Sequence, residues 1–250
     1  MIKFFRRIRQ RLLSESKFSK YLLYAIGEIV LVVIGILIAL SINNWNENRK
    51  KALQESYYLA SLRGNIIQDT INYSTKLRDI ARTQMEIDSA RIKLNLAGGE
   101  EIWTDRIPRI FMSTFNVDSE TAVIEDLKST GNLSLISNKR LIDSILIYYK
   151  GINQTQLGIH NSLQTYARET IGPYLMMRYE VVFNDKPMYT GNSTAPVLSS
   201  SAFREDIFLI NALGYRNSIP TGLQINYQLT LERARNILEL LNKEIGPGNK

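Results

Sequence analysis

Glu28 is the one residue charged at neutral pH in the run YLLYAIGEIVLVVIGILIALSI, Tyr21 to Ile42. A carboxyl group inside an apolar span costs several kcal/mol to keep charged, so its presence points to a proton, a hydrogen-bond partner or a second helix. Helical spacing puts Glu28, Val32, Gly35 and Ala39 on one face. Gly35 and Ala39 form a small-xxx-small pair, which lets two helices approach closely. This face reads as a transmembrane interface with Glu28 protonated or hydrogen-bonded inside it. Two other readings attach to Glu28: a proton-responsive group, or a carboxylate about two turns inside the span that reaches back to the headgroups.

The rest of the chain offers little chemistry. His160 is the only histidine and cysteine is absent, so zinc-finger, thiol and iron–sulfur chemistry have no ligands here. His160 has no acidic residue one helical turn away, and no metal or cofactor site is expected. The pairs Glu100/Glu101, Glu125/Asp126 and Glu205/Asp206 are sequence neighbours, and on a helix adjacent side chains point in different directions. Nucleophile-elbow, zincin, Walker and dinucleotide-binding motifs are all missing. No catalytic residue can be named, and the chain reads as non-enzymatic.

The elements that must hold Glu28 are written in the charge pattern. The 250 residues carry a net charge of +7. Lys3, Arg6, Arg7, Arg9, Arg11, Lys17 and Lys20 against Glu15 place +6 of it in residues 1–20. The remainder is nearly neutral and shows no basic face for phosphates, so nucleic acid is not an expected partner. The apolar run that follows would span about 33 Å as a helix, enough for a bilayer core of about 30 Å. Tyr21 and Tyr24 at one end and Trp45 at the other fit headgroup-level anchors. The lipid bilayer is therefore the first expected partner. Arg6, Arg7, Arg9 and Arg11 surround Phe5, Ile8 and Leu12 and suit contacts to anionic lipid, or serve as topogenic charge alone.

Basic residues before the span outnumber Arg49, Lys50 and Lys51 after it, which puts residues 1–20 in the cytoplasm and the body across the membrane. In a Gram-negative cell that body is periplasmic. A cleaved signal is the alternative, with Ala39-Leu40-Ser41 as its small-residue site, but the apolar run is longer than a usual signal core.

The expected organisation is a basic segment over 1–20, a transmembrane helix over 21–42 and a helical bundle over 43–250. A long first helix over 46–96 continues the span as a stalk. Its stripe runs Leu59, Leu62, Ile66, Thr70, Tyr73, Leu77, Ile80, Gln84, Ile87, Arg91 and Leu94, in coiled-coil-like steps of three and four. A short helix over Glu120–Lys128 is capped by Asp118 or Ser119. A second long helix starts at Ser137 or Asn138, carries Leu141, Ile145, Tyr148, Ile152, Thr155, Ile159, Ser162 and Tyr166, and stops before Gly172-Pro173. Val181–Phe183 is a candidate strand, and 184–200 reads as an exposed loop. Ser201 caps a helix that Gly214 ends. The last helix carries Tyr227, Leu231, Ala234, Leu238, Leu241 and Ile245 and ends at Gly246-Pro247. The fold class is all-α: one N-terminal transmembrane helix continuing into an elongated antiparallel helical bundle.

The run IKFFRRIRQRLLSESKFSKYLLYAIGEIVLVVIGILIALSINNWNENRK resembles the opening of an uncharacterised family of single-pass membrane proteins in Bacteroidetes-type bacteria. That family combines a basic N-terminus, a YAIGEI-type transmembrane helix, an INNWNE-type exit and a helical exported domain. Glu125–Asn138, EDLKSTGNLSLISN, is similar to a second, weaker signature. The resemblance implies residence in the inner membrane and lends no activity. A membrane-anchored scaffold or interaction module of the envelope follows, self-associating or bound to another membrane protein. The alternatives are a periplasmic sensor or signal-transducing subunit, and a proton-responsive subunit of an envelope machine acting through Glu28.

Overall fold

The computed structural model describes residues 18–95, 106–180, 182–183, 186–187, 196 and 198–246. The basic segment with Arg6, Arg7, Arg9 and Arg11 lies outside them. The chain divides into two compact units, Met1–Ser56 and Tyr57–Lys250. One unbroken helix, α1 (Phe18–Asn95), contributes to both.

In the first unit, Tyr21 and Tyr24 fall on α1, and the apolar stretch that follows turns its side chains outward. An 18-residue window there has a mean hydropathy of 2.8 with none of it buried. The helix is long and apolar enough to cross a membrane. Ile and Val are ordinary helix formers in water, but hydrocarbon leaves a backbone no partner except itself, and a helix meets that demand within one segment.

The second unit is an all-α bundle in which α1 packs against the C-terminal helices. α2 (Arg106–Met112) and α3 (Ala122–Ser129) are short. A helical run then joins α4 (Lys139–Thr155), α5 (Asn161–Thr165) and α6 (Gly172–Arg178) through two wide π-turns, Gln156–His160 and Tyr166–Ile171. A two-residue antiparallel ladder pairs β1 (Val182–Phe183) with β2 (Lys186–Pro187), inside the stretch expected as a strand and a loop. α7 (Ser200–Glu205) leads into α8 (Ile207–Ile245), which is 39 residues long.

Contacts fix the directions. Arg63 bonds Asn242 at 2.7 Å and Gln84 bonds Asn217 at 2.9 Å, so α8 runs antiparallel to α1. Asn138 bonds Glu244 and His160 lies 2.9 Å from Tyr227, so the α4–α6 run is also antiparallel to α8 and parallel to α1. A parallel neighbour requires a return path, and residues 113–121 supply it. Arg216, beside the Gln84–Asn217 pair, holds Ser113 at one end, while Glu120 meets Asp69 at the other. Seven residues at about 3.3 Å each cover the same ~23 Å as fifteen residues of helix.

Several boundaries differ from the expected ones for identifiable reasons. α3 begins at Ala122 and not at Glu120, because Glu120 N–H is drawn to Asp69 and its carbonyl to Asn65 and Tyr149. The start at Asn138 holds: its Oδ1 accepts from Leu141 N at 3.1 Å. Leu141, Ile145, Tyr148 and Ile152 are buried as expected; further along, His160, Leu163 and Ala167 are the buried positions among the described side chains, while the expected Ile159 and Tyr166 are only partly buried against the core and Ser162 is exposed. The π-turn at Gln156–His160 inserts one residue and slips the stripe by one. Gly172-Pro173 does not stop the chain; the second wide turn absorbs the bond that Pro173 cannot donate, and α6 continues to Arg178.

Gly172 itself is required, since a Cβ there would lie 2.7 Å from the carbonyl oxygen of Ala167. Ser199, not Ser201, caps α7, and Asp206 restarts the chain as α8. α8 then passes through both Gly214 and Pro220, because a buried stripe from Leu209 to Leu241 outweighs the local cost of each. Gly246, at φ +74°, ends it where expected.

Candidate functional site

Three groups of residues carry potential function. The first is the apolar face of α1 in the first unit. Val32 is 57% exposed, and a Cβ added at Gly35 would meet nothing within 4 Å, so this face is open to a second helix. Glu28 is partly covered, and Trp45 is exposed. Asn43 donates to Glu47 Oε1 at 3.1 Å, a one-turn bond within the INNWNE exit.

The second group is a polar cluster in the core of the second unit. Asp69 is fully buried on α1. Its Oδ1 accepts Glu120 N–H at 3.1 Å and its Oδ2 accepts the Tyr148 hydroxyl at 2.9 Å. Burial pushes its carboxyl up to about 6, against the opposing pull of the Glu120 amide and Tyr148. Tyr73, one turn along, is raised to about 12, chiefly by burial, and sits edge-on to Tyr227 with ring centroids 5.1 Å apart. Tyr227 donates to the carbonyl of Phe115 and lies 2.9 Å from His160 Nε2. With its one proton given to that carbonyl, Tyr227 accepts from Nε2–H. His160 is therefore the Nε2 tautomer, and its buried Nδ1 has no partner among the described residues. Burial, then the charge of Lys76, lowers the His160 pKa.

These side chains act together to satisfy the backbone of residues 113–121. Asn72 bonds the Asp118 carbonyl at 2.9 Å, and Asn65 and Tyr149 both bond that of Glu120. Arg216 completes the set. It is buried, donates through Nε to Ile110 O at 2.7 Å and through Nη2 to Ser113 O, and packs over the Phe115 ring at 4.9 Å. Burial lowers its pKa to about 10, and the carbonyls at the end of α2 supply the partial negative charge it faces.

Asp69 and Arg216 are absent from the expected stripes. Asp69 stands three residues after Ile66 and four before Tyr73, a stripe position that the pattern also allowed to Thr70. Arg216 becomes visible only once α8 is known to pass Gly214. His160, read as a lone histidine without metal company, is a hydrogen-bonded core residue. Among the described residues no group of three or more His, Asp or Glu side chains is placed to hold a metal.

A second polar knot closes the far end. Asp206 accepts from Tyr174 at 2.8 Å, from Tyr179 at 2.7 Å and from the amides of Phe208 and Leu209. Burial would raise its pKa, but these four donors hold it below the usual carboxylate range.

The third group lines an open groove of about 440 Å3 between the end of α1 and the start of α8. Its lining combines the apolar side chains of Leu94, Phe203, Ile210 and Leu213 with the polar ones of Arg91, Asn95, Arg204 and Asn217. Gly214 completes the lining, and a Cβ there would meet nothing within 4 Å.

A long helix with an exposed apolar stretch, followed by a helical bundle, is consistent with a membrane-anchored helical module as the class of protein. Residues 28–95 match the model of a family described as a family of unknown function (DUF6090), a match that begins at Glu28 and ends with α1. It fits the resemblance to an uncharacterised family. No curated protein and no solved structure matches the chain.

Proposed function

We propose that this chain is a single-pass protein of a bacterial inner membrane that displays its helical body in the periplasm as an interaction module. The observation that supports this reading is α1 itself, whose unburied apolar stretch runs without a break into a helix that forms one wall of a packed core. The basic residues 1–20 set the orientation, with the N-terminus cytoplasmic. Self-association, or pairing with another membrane protein, uses the face of Glu28, Val32, Gly35 and Ala39. The module is non-catalytic: Asp69, Tyr148, Tyr227 and His160 spend their polar atoms on a backbone segment and one another, away from the open groove.

The absence of cysteine makes the test clean. In a chain carrying Ile225→Cys, at an exposed position of α8, a membrane-impermeant maleimide labels spheroplasts before lysis. In a chain carrying Gly35→Cys, mild oxidation in native membranes yields a covalent dimer or a covalent partner adduct. Labelling of Ile225→Cys only after lysis removes the periplasmic assignment, and an uncross-linked Gly35→Cys chain removes self-association through this face.

A further inference from the structure

We infer that the groove between the end of α1 and the start of α8 binds a small organic anion with an apolar body, such as an aryl or alkyl carboxylate. This goes beyond the anchored-module reading and does not depend on it.

Three observations carry the inference. The volume, about 440 Å3, lies within the range of small-molecule sites. The lining combines apolar side chains with two guanidinium groups and two carboxamides, and among the described residues no acidic side chain lines it. Arg91 and Arg204 come from different helices, and each keeps donors in hand. Arg91 meets Asp88 through Nη1 at 3.4 Å, and Arg204 gives one Nη1 bond to Leu94 O at 3.3 Å. A guanidinium has five N–H donors in a planar fork suited to a carboxylate or similar anion.

Gly214 is the third observation. A glycine inside a helix costs about 1 kcal/mol relative to alanine. Packing does not require this one, since a Cβ would meet nothing within 4 Å and the residue lines the groove. The apolar body of the ligand lies against Leu94 and Ile210 beside Gly214, and its anionic head meets the guanidinium groups of Arg91 and Arg204.

The test uses the full chain in bilayer nanodiscs with empty discs as the blank. The probes are 3-phenylpropionate, phenyl phosphate and naphthalene-2-sulfonate, with 3-phenylpropan-1-ol as the uncharged match; calorimetry and ligand-observed NMR report binding. At least one anion should bind about tenfold or more tightly than the alcohol, a difference of one decade in dissociation constant. Arg91→Gln and Arg204→Gln should each remove most of that preference. Gly214→Leu should abolish binding while the melting temperature holds or rises, so that lost binding is not lost folding. Equal binding of alcohol and anions, indifference to both arginine variants, or no binding by any of the three anions overturns the inference.

Discussion

Asp69 is a buried carboxylate whose folded-state pKa, about 6, lies above its ordinary value of 3.8. A group raised in this way supports the fold fully below pH ~4, and the support is lost as the pH rises through 6. The shift corresponds to about 3 kcal/mol across that window. His160 works in the opposite sense: its folded-state pKa is lowered, so its contribution is present above about 6.5 and fades as the pH falls. Asp69→Asn keeps the shape and one acceptor for Glu120 N–H while removing the charge. The melting temperature of this variant relative to wild type should therefore climb between pH 4 and 7; circular dichroism melts across that range would show it, and a flat difference would mean that Asp69 does not titrate as described. Asp69 itself was in view in the sequence, although the expected stripe ran through Thr70 beside it. Its partners were not, because Glu120 and Tyr148 lie 51 and 79 residues away.

Helices make the same lesson quantitative through glycine. Gly172 and Gly214 look alike in sequence, as two expected stops, yet neither ends a helix. Gly172→Ala forces a Cβ to 2.7 Å from the Ala167 carbonyl oxygen, so it should destabilise the body by about 1–3 kcal/mol. Gly214→Ala meets open space and should stabilise α8 by up to ~1 kcal/mol. Denaturant midpoints of the two variants should move in opposite directions, and parallel shifts would contradict the packing around Gly172. Element existence and the caps at Asn138 and Gly246 were legible because local chemistry decides them. The slip from Ile159 to His160 was not, since a π-turn changes the period without leaving a residue-type signature. Passage through Gly214 and Pro220 was hidden for another reason: burial along the whole of α8 outvotes two local breakers.

For the molecule as a whole, the all-α class and one long apolar helix followed from hydropathy and periodicity alone. The parallel course of α1 and the α4–α6 run did not, because nothing local announces that residues 113–121 travel back along α1 before the next helix starts. The second unit has its own core, built from two apolar clusters that draw on α1 from Leu59 to Ala90 and on α8 from Leu209 to Leu241. Residues 57–250 expressed without the preceding helix should therefore be soluble, mostly helical and cooperative in thermal melts. A broad, non-cooperative transition would show that the first unit is needed for the body to fold.

The antiparallel seam between α1 and α8 sets the timing of assembly. Its bonds close loops of 133 and 179 residues, Gln84 to Asn217 and Arg63 to Asn242. The earliest-made helix thus cannot bury its inner stripe against α8 until that last-made helix has left the ribosome. Until then Leu62, Ile66 and Ile80 lack part of the packing that covers them in the folded body. A message truncated anywhere before Ile207 would leave a chain with no means of completing its core.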